Sequence, residues 1–140
     1  MGKEKIILMV DDDEDDRDLF RDAVKSIDST IHCITARDGE EALQLLKDPH
    51  STAPDMIFLD LNMPRIDGKK CLKEIKKNET INNIPIVIYT TSENSIDIKE
   101  TLKDGAVQFL TKPNDFEAIC IEISNSIRRW GSGFAYGLAT

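Results

Sequence analysis

The sequence predicts an α/β domain: a parallel sheet with helices packed on both faces. Two observations carry this. Apolar runs of strand length alternate five times with segments of helical period, the pattern of a sheet built from βα units. Three of the runs also deliver charge at their carboxyl ends, Asp11-Asp12, Asp60 and Lys112, and in an open α/β sheet that edge is the ligand crevice.

The strands are expected near 5–10, 31–35, 55–60, 84–90 and 107–111. Leu19, Phe20, Ala23, Val24 and Ile27 mark the first helix, and Ala42, Leu45 and Leu46 the second, after Asp38-Gly39. Cys71, Leu72 and Ile75 mark a third, Ile98 and Leu102 a fourth, and Phe116, Ile119, Ile123 and Ile127 a fifth. The fourth has a thin apolar face, and Asp104-Gly105 stops it, glycine supplying the positive φ that a helix end favours. A helix so thinly anchored beside a reactive edge is a candidate for movement.

At 140 residues the chain predicts one domain, over 4–130, and is too short for a separate output module. Residues 131–140 carry no charge and three glycines, and read as a C-terminal extension. With 40% hydrophobic and 31% charged residues the composition is globular. A net charge of -8 argues against nucleic acid as a partner, since phosphate binding needs clustered Lys and Arg. No apolar stretch reaches membrane-span length and the N-terminus resembles no signal peptide, so a soluble, cytoplasmic protein is expected, with no membrane association. Cys33, Cys71 and Cys120 are odd in number and lack metal-site spacing, which predicts reduced structural thiols.

The acidic run from Asp11 to Asp18 divides by geometry. Asp13 through Asp18 fall in the first turns of the first helix, where each carboxylate interacts with the helix dipole for ~0.3–1 kcal/mol. Asp11 and Asp12 lie at the strand end with Asp60. Carboxylates ~4 Å apart repel by about 4 kcal/mol at an effective dielectric of 20, so the three need a counter-charge. Hard oxygen donors select Mg²⁺ or Mn²⁺, and Mg²⁺ typically bridges one or two carboxylates to phosphate. Lys112 offers a second positive charge, and Thr90 a hydroxyl.

Four segments in order resemble the receiver domain of bacterial two-component response regulators: Asp11-Asp12; Leu59-Asp60-Leu61-Asn62-Met63-Pro64 with Asp67-Gly68; Tyr89-Thr90-Thr91-Ser92; and Thr111-Lys112-Pro113. The resemblance runs from about Lys5 to Trp130 and implies a flavodoxin-like (βα)5 three-layer sandwich with strand order 2-1-3-4-5, the order of the chemotaxis receiver. It implies that Asp60 is the phosphoacceptor, that Asp11, Asp12, Asp60 and the Asn62 carbonyl bind Mg²⁺, and that Lys112, Thr90 and Thr91 contact the phosphoryl group. The Lys112-Pro113 bond is expected to be cis, as in the family. Thr90 and Phe109 match the family's switch pair; Phe109 stands where Tyr is common and lacks a polar tip to hold it at the surface, while a purely core role is the other reading. Asn62 and Ser92 match positions whose variation tunes aspartyl-phosphate lifetime.

The implied partners are a sensor histidine kinase or a histidine phosphotransfer protein, and a second copy of the chain through the face of the fourth helix, fifth strand and fifth helix. Ala118 and Ile121, off the core face of the fifth helix, are apolar candidates for that contact surface. The opening Asp12-Asp13-Glu14-Asp15-Asp16, the segment Asn83-Ile84-Pro85-Ile86-Val87 and Trp130 further resemble the small stand-alone receivers of bacterial phytochrome kinases.

Two alternatives compete. A phosphohydrolase of haloacid-dehalogenase type would use Asp11 as nucleophile in an Asp11-x-Asp13 motif, but that family expects Thr or Val where Asp15 stands, and a longer chain. A phosphorylation-independent pseudo-receiver would not need acid pair, acceptor, hydroxyl and lysine together.

Overall fold

The computed structural model describes residues 4–131. Ten elements alternate: β1 (Ile6–Val10), α1 (Glu14–Ile27), β2 (His32–Ala36), α2 (Gly39–Lys47), β3 (Met56–Leu59), α3 (Gly68–Lys77), β4 (Ile86–Thr90), α4 (Ser95–Lys103), β5 (Gln108–Thr111) and α5 (Phe116–Trp130). All strand pairs are parallel, in the order β2-β1-β3-β4-β5. The extension beyond Gly131 lies outside the described residues.

The two-residue period of the strands separates two cores. Leu8, Val10, Ile57, Leu59, Ile86 and Ile88 face α2 and α3, which answer with Ala42, Leu46, Cys71, Leu72 and Ile75. Ile7, Met9, Met56, Phe58, Val87 and Tyr89 face α1 and α5, which supply Phe20, Ala23, Val24, Ile119, Ile123 and Ile127. β3 and β4 are buried throughout, as a central parallel strand with both faces covered must be.

Every helix begins on an Asp or Asn cap. Asp13, Asp38, Asp67, Asn94 and Asp115 each accept a hydrogen bond from a backbone amide in the following turn. Such a cap satisfies one of the four orphaned amides of a helix start, and is worth about 1 kcal/mol over alanine.

The structure corrects the expected elements in places. β4 begins at Ile86, not 84: Pro85 has no amide to donate, and contributes only its carbonyl, which accepts from Ile57 N at 2.9 Å. Leu19, Leu102 and Phe116 satisfy the helical period but are exposed, because each lies at the margin of its apolar stripe. Ile121 is also exposed, as expected of a residue off the core face, while Ala118 is half-buried. The thin face of α4 is confirmed: its one buried residue is Thr101, whose hydroxyl turns back to the Asp97 carbonyl at 2.7 Å. Asp104 caps its end and Gly105 follows at φ 110°. Cys33, Cys71 and Cys120 are free thiols, and burial pushes Cys33 and Cys71 up to about 12, far from the reactive thiolate.

Gly68, the first residue of α3, fixes the loop after β3. Its amide donates to the Leu61 carbonyl at 3.0 Å, and a Cβ there would lie 2.2 Å from the Asp60 carbonyl oxygen and 2.6 Å from Leu61 Cα. Both neighbours are backbone and cannot rotate away. Gly68→Ala is expected to cost about 1–3 kcal/mol of stability, the usual scale of overpacking, read as a lower urea midpoint at unchanged slope.

Candidate functional site

The carboxyl edge of the sheet gathers the residues singled out at strand ends. Asp11 follows β1 and is fully buried, its amide donating to the Ala36 carbonyl of β2 at 3.0 Å. Asp60 follows β3, is 4% exposed, and keeps its backbone paired with Val10 O at 3.0 Å. The ladder thus continues one residue beyond each strand and holds each carboxylate on a rigid base. Ligand atoms of Asp11, Asp12 and Asp60 lie within 4.8 Å of one another, Asp12 being the exposed member.

Lys112, the residue after β5, brings its ammonium to this group. Its amide donates to Thr90 O at 2.7 Å, and Nζ donates to Asp11 Oδ2 at 2.6 Å and to Asp16 Oδ2 at 2.7 Å, with Asp60 Oδ2 at 3.8 Å. The Tyr89 ring lies beneath the ammonium, its centroid 5.9 Å from Nζ. Burial alone would lower the lysine; its bonds to Asp11 and Asp16, with the nearby Asp60 charge, reverse this and hold it above the ordinary range. Burial pushes the Asp11 carboxyl up to about 6, against the opposing pull of Lys112 and of the Asp13 amide. One ammonium therefore does not fully compensate the buried charge, which is the situation a divalent cation relieves. An all-oxygen, partly open donor set of this kind fits Mg²⁺ or Mn²⁺.

Thr90 closes β4, fully buried, and its hydroxyl accepts from Asn62 Nδ2 at 3.5 Å; the Asn62 amide donates to Asp60 Oδ1 at 3.4 Å. Thr91, next in the chain, is exposed. Phe109, paired with Ile88 in the sheet, is half-buried and packs against the core on the α3 side. Ser92 Oγ donates to Asp97 of α4 at 2.7 Å, and the Ser92 carbonyl accepts from Thr111 Oγ1 at 3.4 Å.

One expectation is overturned. The described residues contain no cis peptide bond, so Lys112-Pro113 is trans. Trans is the intrinsically favoured form even before proline, and in it the Lys112 amide reaches Thr90 and the ammonium reaches Asp11 and Asp16.

The same architecture recurs in known proteins. Residues 7–124 match the response regulator receiver domain family. The chain belongs to that family. Among its relatives is the response regulator Rcp1 of Synechocystis sp., 34% identical over 81% of this chain and 80% of that protein. The crystal structure of the phosphorylated cyanobacterial phytochrome response regulator RcpA superposes with a TM-score of 0.86 at 30% identity, covering 95% of this chain and 98% of that one. The Mn²⁺-bound form of Rcp1 gives 0.81 at 31% identity, covering 94% and 97%. Other relatives are longer: the receiver spans 15% of one and 49% of another. The fold is thus CheY-like and flavodoxin-like, as the strand order implied. No helix among the described residues is long and apolar enough to cross a membrane.

Sequence reasoning missed two site residues of the receiver. Asp16 was assigned to the helix dipole, yet it bonds Lys112; Tyr89 was named in the segment Tyr89-Thr90-Thr91-Ser92 with no role of its own, yet it floors the lysine.

The metal assignment has a direct check. Mg²⁺ binding only to the folded form should stabilise it by about 2.7 kcal/mol at a hundredfold excess over Kd, read as a rise in Tm, and Asp12→Asn, an exposed change, should abolish the rise. The effect depends on pH with a definite sign. Because Asp11 titrates near 6 rather than at 3.8, ionising it costs the metal-free fold stability as pH rises through that window, and a bound cation recovers that cost. Below pH 6 Mg²⁺ must displace a proton, so its affinity should fall toward a limit of about tenfold per pH unit.

Proposed function

We propose that the chain is a stand-alone response regulator that accepts a phosphoryl group on Asp60 from a sensor histidine kinase or a histidine phosphotransfer protein, in a Mg²⁺-dependent reaction, and signals by phosphorylation-dependent protein contact. The observation that carries the reading is the buried Asp60 carboxylate at the sheet edge, beside Asp11 and Asp12 and 3.8 Å from a lysine ammonium. Likeness to Rcp1 over most of both chains supports the single-domain form, with the domain over 4–130 and an extension over 131–140.

Asp60 attacks the phosphorus of the donor. A carboxylate oxygen–phosphorus bond forms as the nitrogen–phosphorus bond of the phosphohistidine breaks, the imidazole leaving with the electron pair. Little covalent chemistry is asked of the protein beyond this, so positioning and charge stabilisation dominate. Asp11, Asp12 and Asp60, with the Asn62 carbonyl, would hold Mg²⁺, which would supply positive charge against the phosphoryl oxygens. Lys112 faces the same oxygens, and the Thr90 and Thr91 segment supplies hydrogen-bond donors. With Thr90, Phe109 forms the pair that carries the new charge state to the surface of α4, β5 and α5, where a partner or a second copy binds. The chain takes part in its own phosphorylation and dephosphorylation without being a dedicated enzyme, and acts in the cytoplasm.

Intact mass after incubation with acetyl phosphate and Mg²⁺ tests this. Wild type should gain one phosphoryl mass, and Asp60→Asn or chelated protein none. A phosphate-releasing activity that survives in Asp60→Asn would instead select the phosphohydrolase with Asp11 as nucleophile, and no adduct with no turnover the pseudo-receiver.

A further inference from the structure

We propose that Asp16 is a positioning residue that shares the Lys112 ammonium with the phosphoryl site and holds it back from Asp60. The inference rests on the phosphoacceptor role proposed for Asp60 and concerns how strongly the lysine can serve it.

An ammonium has three protons to donate. In the receiver one goes to Asp11 at 2.6 Å and one to Asp16 at 2.7 Å, while the acceptor carboxylate stands farthest, at 3.8 Å. Asp11 belongs to the group able to hold a cation; Asp16 does not. Asp16 is also not required for the start of α1, because Asp13 is the cap and Glu14 and Asp15 place the same charge in the first turn. What distinguishes it is its position on the helix, which brings its carboxylate onto the end of β5, 96 residues away in sequence. Its side chain is 33% exposed and that of Lys112 11%, so the bond is sheltered on the lysine side and wet on the aspartate side. A contact of that kind is strong enough to orient an ammonium, and open enough to be exchanged.

Placing a phosphoryl group on Asp60 adds negative charge where Lys112 is the nearest protein cation. The phosphoryl oxygens and Asp16 then compete for the same protons. Asp16 makes the lysine a shared electrophile, and the stabilisation that the phosphorylated state draws from it is reduced by whatever Asp16 retains. Charge-assisted bonds of this length are roughly twice as strong as neutral ones, so the competition is not negligible.

Beryllofluoride, which mimics a phosphoryl group on a carboxylate, provides the test, titrated by fluorine NMR at saturating Mg²⁺. Asp16→Asn keeps the shape and removes the charge; it should bind beryllofluoride about threefold tighter or more, as expected for weakening one charged hydrogen bond, and be phosphorylated faster by phosphoramidate. Asp15→Asn makes the same charge change in the same turn of α1, and should stay near wild type. Asp16→Glu restores the charge and should return affinity toward wild type. Circular dichroism checks folding, and if Asp16→Asn does not fold, Asp16→Ser carries the same expectation. Equal affinity in wild type and Asp16→Asn, weaker binding in Asp16→Asn, or an equal gain in Asp15→Asn would overturn the assignment of Asp16 alone. Failure of wild type to take either phosphate or beryllofluoride would overturn the phosphoacceptor reading, and this inference with it.

Discussion

The buried ammonium of Lys112 is the constraint on which the site depends. Parallel strands sharing one carboxyl edge force Asp11 and Asp60 together, and neither is exposed enough for water to screen it. Without a cation the pair would neutralise by taking up a proton, and Asp11, pushed up to about 6, stands part-way there. Lys112 reaches Asp11 across 101 residues of sequence, and through Asp16 it also ties the end of the last strand to the first helix. The charge balance is incomplete by construction, and Asp11, Asp12 and Asp60 form the group at this edge that could hold a metal ion.

The acidic composition has a second origin at the same edge. In a βα unit each helix starts where its strand ends, so five helix N-termini surround the crevice and each is capped by Asp or Asn. Caps and ligands therefore compete for the same few residues. In the first loop three consecutive aspartates divide the work: Asp11 points inward, Asp12 remains exposed within reach of a cation, and Asp13 caps α1. The β3–α3 loop solves the same problem with glycine. Asp67 caps, and Gly68 lets the first turn of α3 press on the Asp60 backbone.

This organisation explains what could be read in the sequence and what could not. Strands were legible as short apolar runs, three of them ending on a charge, and Asp11, Asp60, Thr90 and Lys112 were legible because they occupy strand ends. Residues at the margin of a helical stripe, Leu19, Leu102 and Phe116, were not, since a period fixes direction only to within the width of the stripe. Asp16 was hidden for a different reason. A carboxylate in the first turn of a helix is already accounted for by the dipole, and a long-range partner leaves no local pattern. The same holds for Tyr89, whose place on the strand is explained by packing against Phe20 and Phe58 before any role under the lysine is considered.

The five helices differ in how they are held. α1, α2, α3 and α5 each bury an apolar stripe, whereas α4 buries one threonine and leaves Ile96 and Leu102 exposed. Its anchors are polar: Lys69 of α3 to Asp97 and Glu100, and Ser92 to Asp97. Surface ion pairs contribute little, so α4 lies at the low-stability end of the domain. Its anchor Ser92 is two residues from Thr90 and bonded through its carbonyl to Thr111, the neighbour of Lys112. A displacement of the Thr90 or Lys112 backbone therefore acts on α4 through a short hydrogen-bonded path, and meets an element with little apolar contact to resist it. The well-packed helices have no such freedom, and the asymmetry of burial leaves α4 the element that follows such a displacement most readily.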